Sequence, residues 1–89
     1  MERQTCIING HVQGVGFRYT VQNLALQYNV RGYVRNIPDG RVELVMEGPE
    51  GEMAGLLEDV KRRMNGYIEE LEVSRSAATG EFQRFCIKH

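Results

Sequence analysis

The sequence predicts an α+β fold in which strands form one sheet and two helices cover one of its faces. Segments with apolar residues at every second position alternate with two segments whose apolar residues recur at helical spacing. The length of 89 residues suits one small domain, residues 1–89, and the content of 42% hydrophobic and 26% charged residues is that of a globular protein. We therefore expect one folded core rather than a disordered or fibrous chain.

The first strand is predicted over residues 5–13, followed by a helix. The stretch TCIINGHVQ alternates apolar with mixed residues, which is the pattern of a strand with one buried face. After the GVG turn at residues 14–16, the apolar residues between 17 and 28 follow the stripe of an amphipathic helix, which we expect to end near Asn29. The positions predicted to face the core from the strand are Cys6, Ile8, Gly10 and Val12.

A β-hairpin is predicted next. Residues 30–36 and 41–47 both alternate in period two, and Asp39-Gly40 between them favours a tight turn because both residue types accept positive φ. The positions expected on the outer, exposed face of its second strand are Arg41, Glu43, Val45 and Glu47.

A second helix and two further strands complete the predicted elements. Apolar residues at helical spacing run from Pro49 to Gly66, with acidic residues at the start of the helix, where the dipole favours them. Residues 67–75 are predicted as a strand, with Leu71 and Val73 inward, and residues 82–88 as a short terminal strand.

This order of elements predicts a ferredoxin-like split βαβ sandwich with a short C-terminal strand. The sheet is mainly antiparallel and has both helices on one face. Because the crossover of the opening βαβ unit is right-handed, its two strands run parallel and end at the same edge of the sheet. Residues 13–18 and Asn36 are thereby expected to share one site.

Charge and hydropathy exclude several classes of function. The formal net charge is −1, but residues 1–41 carry five Arg against two acids, so the anion-friendly groups lie in the first half. This is too little positive charge for a protein that binds long nucleic acid. No apolar run approaches the roughly 20 residues of a membrane span, and no apolar leader is present, so we expect a cytoplasmic protein that contacts neither nucleic acid nor membrane.

The two cysteines predict no metal site. Cys6 and Cys86 lie near opposite ends of the chain, and neither belongs to a CxxC pair or a cluster with metal-ligand spacing. We expect both to be reduced thiols in strands.

The loop after the first strand has the features of an anion-binding cradle. The helix that follows has no Ser, Thr, Asp or Asn in its first turn, so its first N–H groups lack a cap, and the two glycines let neighbouring N–H groups converge. The guanidinium of Arg18 can hold two phosphate oxygens at once. Taken alone, the same pattern fits a tight turn with a solvated arginine. The main-chain groups predicted to bind the anion are those of Gly14, Val15, Gly16, Phe17 and Arg18.

Asn36 is the second candidate site residue. Its carboxamide offers a donor and an acceptor, and can therefore hold a water molecule in a fixed orientation. Without the neighbouring cradle, the same residue fits an Asn that ends a strand and bonds its own turn.

Two stretches of the chain resemble the signatures of the acylphosphatase family. They are GHVQGVGFR at residues 10–18 and GYVRNIPDGRVE at residues 32–43, and the likeness in length and element order extends over essentially the whole chain. The resemblance implies a hydrolase, without metal or cofactor, that cleaves acyl phosphates to a carboxylate and inorganic phosphate. It places Arg18 as the phosphate-binding arginine and Asn36 as the residue that orients water.

The same residues make physical sense for this chemistry. A carboxylate leaves as a stable anion without a general acid, so the protein has only to bind the phosphoryl group and place a water in line with the bond that breaks. His11 and His89 are assigned to the surface, and the resemblance suggests that the substrate phosphate takes the proton of the water. We expect a monomer whose partner is a small acyl phosphate.

Competing readings of the sequence remain. A phosphate or small-anion binding module would keep the cradle without turnover, although the presence of Asn36 favours an enzyme. An RNA-binding module on this fold needs aromatic residues on the central strands, and the exposed positions there have none. The terminal strand fits either a hairpin with the fourth strand or, as the family pattern implies, the free edge of the second.

Overall fold

The computed structural model describes residues 1–89 and has the predicted order of elements. Strands and helices follow one another as a split βαβ unit with one additional strand. Their bounds are β1 Glu2–Gly10, α1 Phe17–Ala25, β2 Arg31–Asn36, β3 Val42–Gly48, α2 Glu50–Arg63, β4 Ile68–Ala77 and β5 Phe85–Ile87.

The strands form one sheet in the order β4-β1-β3-β2-β5. All neighbours are antiparallel except β2 and β5, which are parallel with Val34 opposite Ile87. The predicted α+β ferredoxin-like fold is confirmed. The terminal strand lies at the β2 edge, as the family pattern implied, and does not form a hairpin with β4.

The register of the sheet brings the ends of β1 and β2 to one edge. Both strands pair antiparallel with β3, so they run parallel to each other on either side of it. Val42 is the partner of Ile8 on one side and of Asn36 on the other. Asn36 is therefore level with the end of β1, where the loop to α1 begins.

The core lies between the sheet and the two helices. Of the positions predicted to face the core from the first strand, Cys6, Ile8 and Val12 are buried and Gly10 is half-buried, which accounts for the alternating pattern. Val73 lies on the inward face of β4, as predicted, but it is 41% exposed because β4 is an edge strand. The core cluster consists of Cys6, Ile8, Val12, Phe17, Val21, Leu24, Ala25, Val30, Val34, Val42, Leu44, Met46, Met53, Leu56, Val60 and Met64.

Several element boundaries differ from those predicted, and the differences in β1 and α1 change the loop and the helix that carry the candidate site. β1 spans Glu2–Gly10 rather than residues 5–13, because it lies inside the sheet and pairs with both neighbours from Glu2 onward. α1 ends at Ala25 rather than near Asn29, since the next three N–H groups donate to carbonyls three residues back. The loop before α1 is consequently longer than expected.

The outer face of β3 is covered, contrary to the expectation that it is exposed. Val45 is 2% exposed and Glu47 is 5% exposed. Residues 78–84, which we call the covering segment, run from β4 to β5 and contact this face, where the Phe82 ring lies 5.8 Å from the ring of Tyr33. The alternation of residues in β3 correctly identified which of them lie on its outer face. It could not show that a later segment of the chain covers this face.

Glu47 anchors the covering segment. Its carboxylate accepts hydrogen bonds from Thr79 N at 2.9 Å, Gly80 N at 3.0 Å and Arg3 Nε at 2.7 Å. Burial alone would raise the pKa of Glu47, but these donors outweigh it and lower the pKa from 4.5 to about 2. The carboxylate is therefore ionised throughout the ordinary pH range.

Neither helix could span a membrane. Cys6 is buried in β1 and Cys86 is half-buried in β5, with β3 and β2 between their strands, and both are free thiols. Burial raises the pKa of Cys6 to about 11.

Replacement of Glu47 by Gln should destabilise the fold and flatten its response to acid. Gln cannot satisfy Arg3 and two N–H groups as a carboxylate does, so we expect a loss of about 2 kcal/mol in the free energy of unfolding at pH 7. A depressed carboxyl pKa contributes stability that is present above the unfolded value and is lost as the pH falls through the folded value, here from 4.5 to about 2. Urea titrations at pH 7 and pH 3 measure both effects.

The exposed Glu72 of β4 provides the matched control, Glu72→Gln, which should leave both quantities unchanged. Equal loss of stability between pH 7 and pH 3 in wild type and Glu47→Gln would contradict the anchoring role.

Candidate active site

The loop between β1 and α1 owes its shape to two glycines. Gly14 has a φ of 78° and Gly16 a φ of 77°, both in the left-handed region that side chains disfavour. Gly16 is the N-cap of α1 and makes no capping bond through a side chain. The loop therefore turns sharply from the end of β1 into the first turn of the helix.

The main-chain N–H groups of this loop lack partners. The N–H groups of residues 14–19 donate to no carbonyl of the protein, and the first internal bond of α1 runs from Thr20 N to Gly16 O at 3.0 Å. Successive unpaired N–H groups at a helix start attract an anion, to which the helix dipole adds partial positive charge. Gly14 and Gly16 are exposed, so a ligand can approach the loop from solvent.

Arg18 is the free cation of this site. Its half-buried guanidinium has no carboxylate within 4.0 Å, whereas Arg35 and Arg41 pair with Glu43 and Asp39 at 2.7 Å each. Its only side-chain hydrogen-bond partner is the ring of His89. Because the nearby arginines are neutralised locally, Arg18 is the one of these three whose charge is available to an anionic ligand.

Asn36 carries a buried acceptor without a donor. Its Oδ1 atom is the only buried side-chain nitrogen or oxygen in the protein that has no hydrogen-bond partner. Buried polar atoms are nearly always paired, so an exception of this kind marks a position suited to water or a ligand. Asn36 therefore does not bond its own turn through Oδ1, which was the alternative role for an Asn at the end of a strand.

Gln13 and His89 connect the elements that carry the predicted residues. Gln13 Nε2 donates to Ile37 O at 2.8 Å and to Arg41 O at 2.9 Å, which ties the start of the loop to the turn that follows Asn36. His89 Nδ1 lies 3.4 Å from Arg18 Nη1, just beyond the strand that pairs with β2. The structure thus assembles the loop, Arg18 and the end of β2 at one edge of the sheet.

Comparison with known proteins identifies one family. The sequence profile of the acylphosphatase family matches residues 4–87. An acylphosphatase of Pyrobaculum islandicum is 48% identical over 82 residues, which are 90% of this chain and 86% of that protein. An acylphosphatase of Syntrophus aciditrophicus is 40% identical over 88 residues, 98% of this chain and 92% of that one.

A solved structure gives the same result. The crystal structure of acylphosphatase from Bacillus subtilis superposes with a TM-score of 0.91 at 38% identity and covers 100% of both chains. The chain belongs to the acylphosphatase family. The family resemblance and the enzyme class that it implied, a hydrolase, are thereby confirmed.

Sequence reasoning missed the contacts of two residues of this candidate site. Gln13 was placed at the end of the first strand and the start of the loop, but no role was predicted for its side chain, which makes two long-range bonds. His89 was assigned to the surface; it is exposed, but it also contacts Arg18. His11 is exposed as expected, with its ring 6.3 Å from that of Tyr67. Only the position of Gln13 inside the first motif could have drawn attention to it.

Gly16→Ala should weaken both the fold and anion binding in this acylphosphatase. A Cβ at this position meets no atom within 4 Å, so the cost comes from the backbone conformation alone. We expect a loss of about 1 kcal/mol in unfolding free energy and weaker binding of inorganic phosphate, because the N–H groups lose their convergence. Urea titration and a phosphate-binding isotherm test this.

Gly51→Ala, in the first turn of α2, is the matched control. Its Cβ also has open space, and the backbone there needs no positive φ, so the change should preserve both stability and phosphate binding. A Gly16→Ala protein that binds phosphate as well as this control would contradict a cradle built from the loop.

Proposed function

We propose that this protein hydrolyses the carboxyl–phosphate bond of small acyl phosphates by in-line attack of water on phosphorus. The observation that carries the proposal is the buried, unpartnered Oδ1 of Asn36, located at the same sheet edge as the unpaired N–H groups of the loop. One group of this kind suits a water molecule, and the other suits an anion. Hydrolysis of a phosphoryl compound requires both.

The phosphoryl group is assigned to the loop and Arg18. Main-chain N–H groups of residues 14–18 would surround its oxygens, and the guanidinium would bind two of them in parallel. Charge on these oxygens is stabilised by donors that are already in place, which costs no reorganisation during the reaction. Freedom of Arg18 from any carboxylate supports this role.

The attacking water is assigned to Asn36. Its Oδ1 would accept a hydrogen bond from the water and so direct an oxygen lone pair toward phosphorus, opposite the bond that breaks. Asn36 is level with the end of β1, on the other side of β3. The group that holds the water and the loop that holds the phosphoryl group therefore lie at the same edge of the sheet.

The chemistry then needs no general acid and no metal. Water forms a new O–P bond, the bond from phosphorus to the acyl oxygen breaks, and the electron pair leaves with the carboxylate. An acyl phosphate dianion and water thus yield a carboxylate and dihydrogen phosphate, with a phosphoryl oxygen taking the proton. A carboxylic acid has a pKa of roughly 4, so its anion departs unprotonated at neutral pH.

The reaction as proposed needs only the loop, Arg18 and Asn36, which lie at one edge of one sheet, so it requires no second subunit and we retain the prediction of a monomer. The competing function is a phosphate or small-anion binding module. It accounts for the loop and for Arg18, but it leaves the buried Oδ1 of Asn36 without a role.

Hydrolysis of an aryl acyl phosphate in H2(18)O tests the proposal. We expect turnover that a chelator leaves unchanged, and one atom of 18O in inorganic phosphate with none in the carboxylate. Label in the carboxylate would indicate attack at the carbonyl carbon and overturn the assignment to phosphorus. Binding of phosphate without any turnover would favour the binding module.

Arg18→Lys and Asn36→Ala should affect binding and turnover differently. Lys keeps the charge but loses the paired donors, so we expect kcat/KM to fall at least about 100-fold and phosphate to inhibit more weakly. Asn36→Ala leaves the loop intact, so kcat should fall by about 100-fold while the inhibition constant of phosphate stays within about threefold. Steady-state kinetics with phosphate as a competitive inhibitor measure both.

The exposed Arg31 and Asn23 supply matched controls, Arg31→Lys and Asn23→Ala, which should behave as wild type. Near wild-type turnover in Arg18→Lys, or full activity in Asn36→Ala, would exclude the corresponding role.

A further inference from the structure

We propose that Gln13 is a positioning residue that sets the separation between the phosphate-binding loop and Asn36. The inference rests on the proposed function, and it assigns a task to a side chain that touches neither the phosphoryl group nor the water. Gln13 directly precedes Gly14 of the loop, and its Nε2 atom donates to Ile37 O at 2.8 Å and Arg41 O at 2.9 Å. Ile37 directly follows Asn36 in the chain.

This carboxamide makes the only hydrogen bonds between the loop that follows β1, residues 11–16, and residues 36–41. The N–H groups of residues 14–19 donate to no carbonyl, and no main-chain bond joins the loop to residues 36–41. No other side-chain hydrogen bond joins these two segments; the contact of Arg18 with His89 runs from α1 to the residues after β5. Both amide hydrogens of Gln13 are used, so the side chain fixes the loop in direction as well as distance.

The turn that receives these bonds is already closed without Gln13. Ile37 N donates to Arg41 O at 2.8 Å, and Gly40 N donates to Ile37 O at 3.0 Å. Each carbonyl bonded by Gln13 therefore keeps a second donor when that side chain is changed. Loss of the Gln13 hydrogen bonds should leave the β2–β3 hairpin folded. Only the position of the loop relative to the hairpin should become less restricted.

The expected consequence is a loss of turnover rather than of phosphate binding. The N–H groups and Arg18 lie on the loop and α1, and thus move together, whereas Asn36 stays with the sheet. In-line attack depends on the placement of water relative to phosphorus, and a displacement of about 1 Å can lower a rate by about 100-fold. Gln13 would act on the rate only through the alignment of these two parts.

The test is Gln13→Met, which keeps the length of the side chain and removes both donors. We expect kcat for an aryl acyl phosphate to fall at least about tenfold, with the inhibition constant of inorganic phosphate within about threefold of wild type. The melting temperature should fall by no more than about 8 °C. Gln27→Met, at an exposed position after α1, is the matched control and should match wild type in all three measurements.

A double-mutant cycle with Asn36→Ala identifies the route of the effect. If Gln13 acts by aligning Asn36, Gln13→Met should lower kcat by less than about threefold once Asn36 is Ala. Equal effects of Gln13→Met in both backgrounds would overturn the proposal, as would unchanged kcat in the single variant. So would parallel losses of kcat and phosphate affinity, which indicate a general loosening of the loop.

Gln13→Lys provides rescue, because an ammonium group can donate to both carbonyls. Its kcat should exceed that of Gln13→Met by at least about threefold, since the link is restored. Equal rates for the two variants would argue against a link through these donors. A wild type that fails to hydrolyse acyl phosphates refutes the proposed function; an active wild type with an equally active Gln13→Met refutes this inference alone.

Discussion

The N–H groups of residues 14–19 are the constraint on which the rest of the site depends. Each is a strong donor, and none finds a carbonyl within the protein. The left-handed glycines and the start of α1 turn these donors away from the main-chain acceptors that would normally pair them. A ligand with several negatively charged oxygens satisfies more of them at once than water does, and the absence of a carboxylate near Arg18 leaves the strongest side-chain donor for the same purpose.

The sheet provides the second fixed part and the scale of the site. β3 separates β1 from β2, and because neighbouring strands lie about 4.8 Å apart, the strands that carry the loop and Asn36 are separated by about 10 Å. A loop that leaves β1 must cross this gap to bring its N–H groups near Asn36. The hydrogen bonds from Gln13 to the turn after β2 show that the start of the loop extends across this gap. The distance between the loop and Asn36 therefore depends on a side chain as well as on the sheet.

Much of this architecture follows from local patterns. The alternation around Ile8 and Val42 identified the buried face of each strand, the glycines identified the loop, and the motifs predict Arg18 and Asn36 as site residues. Burial of Glu47 and the bonds of Gln13 could not be predicted in this way, since both depend on groups more than 20 residues away. A charged or polar residue at an outer strand position has the same local pattern whether solvent or another segment covers it. Contacts between distant segments were the part of the fold that periodicity could not supply.

The covering segment connects the candidate site to the opposite end of the sheet. Glu47 holds Thr79 and Gly80, and the chain then continues into β5 along β2, so that His89 reaches the guanidinium of Arg18. No carboxylate pairs with Arg18, so His89, two residues beyond β5, is the one side chain that is hydrogen-bonded to its guanidinium. A buried carboxylate at one end of β3 and the guanidinium of Arg18 are thus connected through one continuous stretch of chain, residues 79–89.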